Sequence, residues 1–200
     1  SNRAKEPQIN GVNASWSKLD REIKKKLKDV KNKKITLLTN SVISPSLLSL
    51  INTFSDQYQN VNHVMYDSVP YDGILDANLE SFGQRIVPDY HFDKADVIVS
   101  FGADFIGNWL SQDYSNDYIA GRNPKSGKMS RHFQIETNMS LTGANADKRI
   151  QIKPSEQAYL ISNLFKALNG STKIDERIKG VYENLKKSKS SIVVTDSQRK

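Results

Sequence analysis

Short apolar segments alternate with longer segments in which apolar residues recur every three or four positions, and this alternation constrains the fold most strongly. The clearest short segment is VIVSF at 97–101, and one of the clearest long segments is PSLLSLINTF at 45–54. Strands that are apolar throughout are typical of a parallel sheet covered on both faces, and amphipathic helices supply that cover. The sequence therefore predicts a Rossmann-like three-layer α/β/α fold with a mostly parallel sheet.

The same pattern predicts where the strands and helices lie. Strands are expected at 35–39, 61–66, 96–101, 132–137, 149–153 and from 192 onwards. Helices are expected at 17–30, from 45, at 74–82, around 109–119, at 154–168 and at 174–185. The apolar face of helix 154–168 is expected to comprise Ala158, Ile161, Leu164, Phe165 and Leu168. We expect an extended leader at 1–16 and a single domain over 17–200. We expect this domain to be a fragment of a longer chain, because no helix follows the last strand to cover it.

Several classes of site are excluded or disfavoured by composition. The sequence has no cysteine, which excludes disulfides, thiolate zinc sites, cysteine nucleophiles and cysteine-ligated iron–sulfur clusters within this chain. No stretch approaches the roughly 18–20 apolar residues of a membrane span, so none is expected. His63, His91 and His132 show no ligand spacing and are expected to be core or surface side chains. No metal site is therefore predicted. A G-x-S-x-G motif is absent, and no catalytic residue is predicted.

The net charge of +7 has a local source between residues 21 and 34. One arginine and seven lysines lie there beside two acidic residues. Trp16, Leu19 and Ile23 recur at helical spacing, so these lysines are explained as the solvated face of a helix. No aromatic residues are interleaved with the lysines to stack on bases, and we expect no nucleic-acid partner. Docking on an acidic partner or on an anionic membrane surface remains open.

Ligands of parallel α/β sheets bind beyond the carboxyl ends of the strands, so the loops after the strands form the candidate site. Gly102 follows a strand directly and can let a backbone approach a phosphate, although a tight turn is the simpler explanation of this glycine alone. Glu136 at the end of another strand can hold a ribose diol or a base edge. Lys153 at the next strand exit can meet a phosphate. The alternative is a well-capped crossover loop.

Two runs of sequence carry a resemblance to a known family. They are ADVIVSFGADFIGNWLS at 95–111 and SRHFQIETNMSLTGANADKRIQIKP at 130–154. They resemble the molybdopterin-oxidoreductase-like domain of the iron–sulfur subunit of bacterial alternative complex III, a quinol:electron-acceptor oxidoreductase. SLTGANAD at 140–147 is the specific part, and a weaker resemblance extends from residue 14 to the helix around Phe165.

The resemblance implies a place at the periplasmic face of the bacterial cytoplasmic membrane, within a respiratory-chain complex. The partners that it implies are the haem c and membrane subunits of that complex. Iron–sulfur clusters are expected only in the part of the parent protein beyond this chain. This domain is expected to hold no cofactor, and only the parent would belong to an oxidoreductase.

Related molybdenum enzymes bind a pterin–guanine dinucleotide with G-x-N-P, D-P-R and R-P-G turns after successive strands. This sequence keeps Gly102, but Asp104 stands where the first turn has asparagine. Glu136 replaces the aspartate of the second turn, Asn138 replaces its arginine, and Lys153 replaces the first arginine of the third turn. Asp104 adds a negative charge and Asn138 removes a positive one, so a pyrophosphate should bind less well. These five residues are therefore expected to form a vestigial cofactor pocket.

The resemblance thus implies a structural, docking domain that has lost its cofactor. The alternative is a domain of an active oxidoreductase that binds molybdopterin guanine dinucleotide, or another nucleotide, through Gly102, Glu136 and Lys153. In the docking interpretation, apolar residues after the 96–101 strand are expected to be exposed and to plug the old pocket or form a partner surface. These residues are Phe105, Ile106 and Trp109.

Overall fold

The computed structural model describes residues 3, 5–30, 33–42, 44–58, 60–127, 129–171 and 173–197. The chain forms two compact units, Ser1–Pro70 and Tyr71–Lys200. We describe each unit by itself. The expectation of one domain over 17–200 remains a prediction.

The first unit contains a small hairpin, two long helices and a pair of parallel strands. In chain order its elements are β1 (Gln8–Ile9), β2 (Val12–Asn13), α1 (Trp16–Asp29), β3 (Ile35–Thr39), α2 (Pro45–Gln57) and β4 (Val61–Met65). Strands β1 and β2 are antiparallel, and β3 pairs in parallel with β4. Helix α1 begins one residue earlier than predicted because Ser15, the residue before it, accepts a hydrogen bond from the backbone of Lys18.

The second unit is built on a four-stranded parallel sheet. Its elements are α3 (Asp72–Phe82), β5 (Val97–Phe101), α4 (Asp113–Ala120), β6 (Arg131–Glu136), α5 (Leu141–Ala144), β7 (Lys148–Gln151), α6 (Gln157–Leu168), α7 (Lys179–Lys187) and β8 (Ser191–Thr195). Short 3₁₀ turns lie at Phe92–Lys94, Pro124–Ser126 and Pro154–Glu156. The strand order is β7-β6-β5-β8, and every pair is parallel. The predicted Rossmann-like α/β fold is confirmed, and each predicted strand lies within two residues of its expected position.

Each face of this sheet has its own buried core. On one face, Val99 of β5 packs with Leu160 of α6 and Val181 of α7. On the other face, Ile98 of β5 shares a core with aromatic residues of α4 and of the loop after β5. Successive residues of β5 thus point to opposite faces, and all five residues of the strand are buried. This explains why the strand is apolar or small at every position and shows no polar alternation.

Helix α6 turns its predicted face to the core only in part, through the buried Leu164 and the half-buried Ile161. Leu160, Leu164 and Ala167 are buried, whereas Ala158 is exposed and Phe165 is 67% exposed. The helix carries two overlapping apolar stripes that share Leu164, and the stripe that includes Leu160 and Ala167 is the more deeply buried one. Periodicity shows that such a helix is amphipathic, but it does not distinguish between two adjacent stripes.

The segment after β5 also differs from the expected helix. The helix predicted around 109–119 begins only at Asp113. Leu110 lies in the left-handed region with φ of 57°, which a continuous α-helix does not admit. The predicted last helix is likewise shorter, because α7 begins at Lys179, after the buried Ile178. The residues that precede each helix still contribute apolar side chains to the cores.

Candidate binding site at the carboxyl edge of the sheet

The carboxyl ends of β5, β6, β7 and β8 lie at one edge of the sheet, which we call the carboxyl edge. The chain passes from β5 to its neighbour β6 and on to β7, and then returns through α6 and α7 to β8 on the other side of β5. The direction of the strand order therefore switches between β5 and β8. In open α/β sheets this switch point is where ligands usually bind.

The switch point is filled by a carboxylate of the chain itself. Gly102 follows β5 with φ of +78°, and a Cβ added there would lie 2.5 Å from Oδ1 of Asp196. Asp196 follows β8, and its Oδ1 accepts a hydrogen bond of 2.9 Å from Nε2 of Gln157 at the start of α6. Glycine is thus required at residue 102 for its backbone angle and for the close approach of this side chain. The sequence predicted that a phosphate could approach the backbone at Gly102. In the structure the carboxylate of Asp196 lies there instead.

Asp104, in the loop after β5, is bound by Thr142 of α5. Its Oδ1 accepts hydrogen bonds from the backbone nitrogen and from Oγ1 of Thr142, at 2.9 and 2.7 Å. The Thr142 hydroxyl oxygen in turn accepts one of 3.0 Å from the backbone nitrogen of Ile106. Gly107 leaves room for the Asp104 carboxylate, because an added Cβ would collide with it. Asp104 therefore joins two loops of the carboxyl edge.

Glu136, at the end of β6, is almost fully buried and is bound on both carboxylate oxygens. Nε of Arg149 lies 2.6 Å from its Oε1, and Oγ of Ser140 lies 2.6 Å from its Oε2. Nε2 of Gln134 donates a further bond of 3.1 Å. A Cβ added at Gly143 would collide with the carboxylate. The residues Ser140, Thr142 and Gly143 thus accommodate both Asp104 and Glu136, and we call the segment 140–143 the carboxylate clamp.

The pKa of Glu136 reflects these contacts. Burial alone would raise its pKa, but the hydrogen bonds from Ser140 and Arg149 outweigh burial and hold the pKa below its ordinary value of 4.5. The side chain is therefore a carboxylate at neutral pH. Its negative charge is balanced by Arg149, and both of its carboxylate oxygens already accept hydrogen bonds within the protein.

Asn138 and Lys153, the other two predicted pocket residues, are exposed. The backbone nitrogen of Lys153 donates a hydrogen bond of 2.8 Å to Glu156, which also binds Arg177. This arrangement caps the turn that begins α6. The structure thus brings Gly102, Asp104 and Glu136 to one edge of the sheet, but the two carboxylates are held by α5 and β7.

The apolar residues of the loop after β5 do not form an exposed surface. Phe105 is 1% exposed and stacks on Phe92, with ring centroids 4.3 Å apart. Trp109 is also buried and stacks on Tyr90, while Ile106 is half-buried. The expectation that these three side chains are exposed is wrong, because they complete the core on one face of the sheet.

A buried polar stripe on β6 was not predicted. His132, Gln134 and Glu136 alternate along one face of the strand and are all buried. Nδ1 of His132 lies 3.0 Å from the hydroxyl of Tyr118, and its Nε2 lies 3.3 Å from Oε1 of Gln134. Burial is the main cause that lowers the pKa of His132 to about 4. Of the two positions expected for the histidines, core or surface, His132 has the first.

The end of SLTGANAD is also engaged in internal contacts. Asp147 forms a two-point ion pair with Arg122, with distances of 2.8 and 2.9 Å. One oxygen of Asp147 also accepts a hydrogen bond of 2.7 Å from the backbone nitrogen of His132. The carbonyl oxygen of Asn145 accepts one from the hydroxyl of Tyr118. The polar residues of this element therefore have structural roles that need no ligand.

Within the described ranges, one group of side chains could offer three ligands to a metal ion. His91, Asp93 and Asp117 each bring a ligand atom within 4.8 Å of the others. The sequence did not indicate this group, because Asp117 comes from α4 and is distant along the chain. Exposed acidic groups are common without an ion, and we assign no metal here.

Comparison with known proteins does not assign this chain to a family. No family model matches the chain, and no curated protein matches it. Among the described residues, no helix is both long and apolar enough to cross a bilayer.

We predict that His132 makes stability depend on pH. Its folded pKa of about 4 lies below the ordinary value of 6.5, so the unfolded chain binds the proton more readily. The stability that the neutral ring contributes is fully present above pH 6.5 and is lost as the pH falls towards 4. As the pH falls from 6.5 to 4, the free energy of unfolding should therefore decrease less in His132→Gln than in the unchanged protein. The difference between the two decreases should reach up to about 3 kcal/mol.

The measurement is urea unfolding of both proteins at a series of pH values. The carboxylates titrate in both proteins, so only the difference between the two curves reports on His132. Parallel curves over this range would contradict the prediction.

Proposed function

We propose that this chain is a structural, docking domain of a membrane-bound respiratory complex that oxidises quinol, of the alternative complex III kind. In this proposal the domain descends from a molybdopterin-binding domain that has lost its cofactor. Its partners are haem c and membrane subunits at the periplasmic face of the cytoplasmic membrane. The clusters that carry electrons lie in another part of the parent protein, because this chain has no cysteine to ligate them.

The observation that carries the proposal is the carboxylate clamp. A dinucleotide that crosses the carboxyl edge needs hydrogen-bond donors and positive charge facing its pyrophosphate. Here the edge presents Asp104, Glu136 and Asp196, and the first two already accept the donors of the clamp. The guanidinium of Arg149, which could have faced a phosphate, is paired with Glu136. These contacts favour a scaffold over a nucleotide site.

The assignment to a quinol-oxidising complex is supported by the resemblance of the segments 95–111 and 130–154. These segments supply β5, β6, β7 and the clamp, which together form most of the carboxyl edge. An α/β fold alone would not select this function, since the same architecture serves many activities.

The alternative is a domain that binds a molybdopterin guanine dinucleotide or another nucleotide. It is favoured by one observation, the position of Gly102 at the switch point, where such ligands usually bind. The exposed Asn138 and Lys153 could contact a phosphate or a base. In this alternative Asp196 would have to move away from Gly102.

A thermal-shift measurement distinguishes the two functions. We expect GMP and GDP to leave the unfolding temperature unchanged, because the donors of Ser140, Thr142 and Arg149 are already bound to Glu136 and Asp104. Stabilisation that saturates at micromolar nucleotide would support the alternative. In that case Lys153→Ala should weaken the effect, whereas Lys187→Ala, which removes an exposed lysine of α7, should not.

The docking role is tested by purification from the native membrane. The parent protein carries an affinity tag, and the membranes are solubilised in a mild detergent. We expect haem c and membrane subunits to co-purify with it and the preparation to oxidise quinol. A parent protein that purifies without haem c subunits, from membranes that retain this activity, would contradict the proposal.

A further inference from the structure

Helix α1 carries an apolar stripe that is largely exposed, with Leu19 and Leu27 half-buried. Trp16, Leu19, Ile23 and Leu27 fall on one side of the helix at 100° per residue. Trp16 is 70% exposed, Ile23 is 46% exposed, and no residue of the helix is buried. The apolar residues of an amphipathic helix normally pack on a core. Because those of α1 are largely exposed, the stripe is available for an external contact.

Most of the charge around the stripe is positive, with Asp20 at its border beside Lys24 as the exception. Lys24 and Lys26 flank it on opposite sides of the helical wheel, and Lys18, Lys25 and Lys28 lie farther round. In the part of the chain that the structure describes, none of these five lysines forms a salt bridge. The long methylene stems of flanking lysines can lie along an apolar surface while their ammonium groups reach anionic groups.

Helix α7 is a useful contrast within the same chain. It is also rich in lysine and amphipathic, with Lys179, Lys186 and Lys187 among its nine residues. Its apolar residues Val181 and Leu185 are buried in the core of the second unit. In this protein a basic amphipathic helix can therefore bury its apolar residues. Helix α1 differs because none of its residues is buried.

We propose that α1 binds the surface of an anionic lipid bilayer. The helix would lie in the plane of the membrane, with its stripe among the headgroups and acyl chains and its lysines against lipid phosphates. Trp16 also borders an open groove of about 500 Å³ together with Lys5, Pro7 and Asn13, so the indole lies beside further polar groups. Tryptophan favours such an interface between apolar and wet surroundings.

Charge complementarity and the stripe together favour a membrane over a nucleic acid. A nucleic acid would attract the lysines, but it would offer no apolar layer for Leu19 and Ile23. No aromatic residue stands between the lysines of α1 to stack on a base. A bilayer with anionic headgroups offers both surfaces at once. Lipid binding by α1 does not require the function proposed above.

The test is co-sedimentation of the full chain with vesicles, combined with tryptophan fluorescence. We expect binding to phosphatidylglycerol–phosphatidylcholine vesicles, together with a blue shift in emission that is absent in Trp16→Phe. Binding to pure phosphatidylcholine should be much weaker. The double variant Lys24→Glu/Lys26→Glu should bind anionic vesicles at least about tenfold less, because each charge near such a surface contributes strongly.

The matched control is Lys187→Glu/Lys189→Glu, which changes the net charge equally at exposed positions far along the sequence from α1. It should retain most of the binding, and circular dichroism should show that both variants are folded. An equal loss in the control, full binding by the α1 variant or no binding to anionic vesicles would each overturn the proposal. Salt-dependent binding to duplex DNA, without a blue shift on vesicles, would assign the basic face to nucleic acid instead.

Discussion

Two carboxylates at the end of a parallel sheet, Asp104 and Glu136, both take hydrogen-bond donors from the segment 140–143, and the structure of the second unit depends on these bonds. An ionised carboxyl group that is removed from water without partners costs several kcal/mol. Glu136 is buried, yet it receives donors from Ser140, Gln134 and Arg149. Asp104 receives two from Thr142. The carboxylate clamp therefore fixes the loop after β5 against the end of β6.

This fixation links the edge of the sheet to its cores. The loop that Asp104 anchors also carries Phe105 and Trp109, which fill the core on one face. The stripe of His132 and Gln134 leads from that core to Glu136 through successive hydrogen bonds. A change at the edge would thus disturb packing in the interior, which is typical of a structural element. A pocket that must open for a large ligand would need looser contacts at this point.

The sequence predicted the strands well because an entirely apolar run is a local property. It predicted that Gly102 and Asp104 follow one buried strand and that Glu136 lies at the end of another, and the topology brings them to one edge. The partners of these residues were not predictable from local pattern: Thr142 lies 38 residues beyond Asp104 and contacts it only in the folded chain. The burial of Phe105 was not predictable from local pattern either, since the ring that covers it belongs to Phe92 in another segment. Asp196 could have been noticed, because it directly follows the last strand.

The central claim is that the carboxyl edge is closed by the protein's own hydrogen bonds. It is tested most directly by the pKa of Glu136, measured from the carboxyl carbon shift in an NMR titration with and without guanine nucleotide. The account predicts a pKa below the ordinary 4.5, since the donors of Ser140 and Arg149 favour the ionised form, and no change when nucleotide is added. A pKa at or above 4.5, or one that moves with nucleotide, would contradict it.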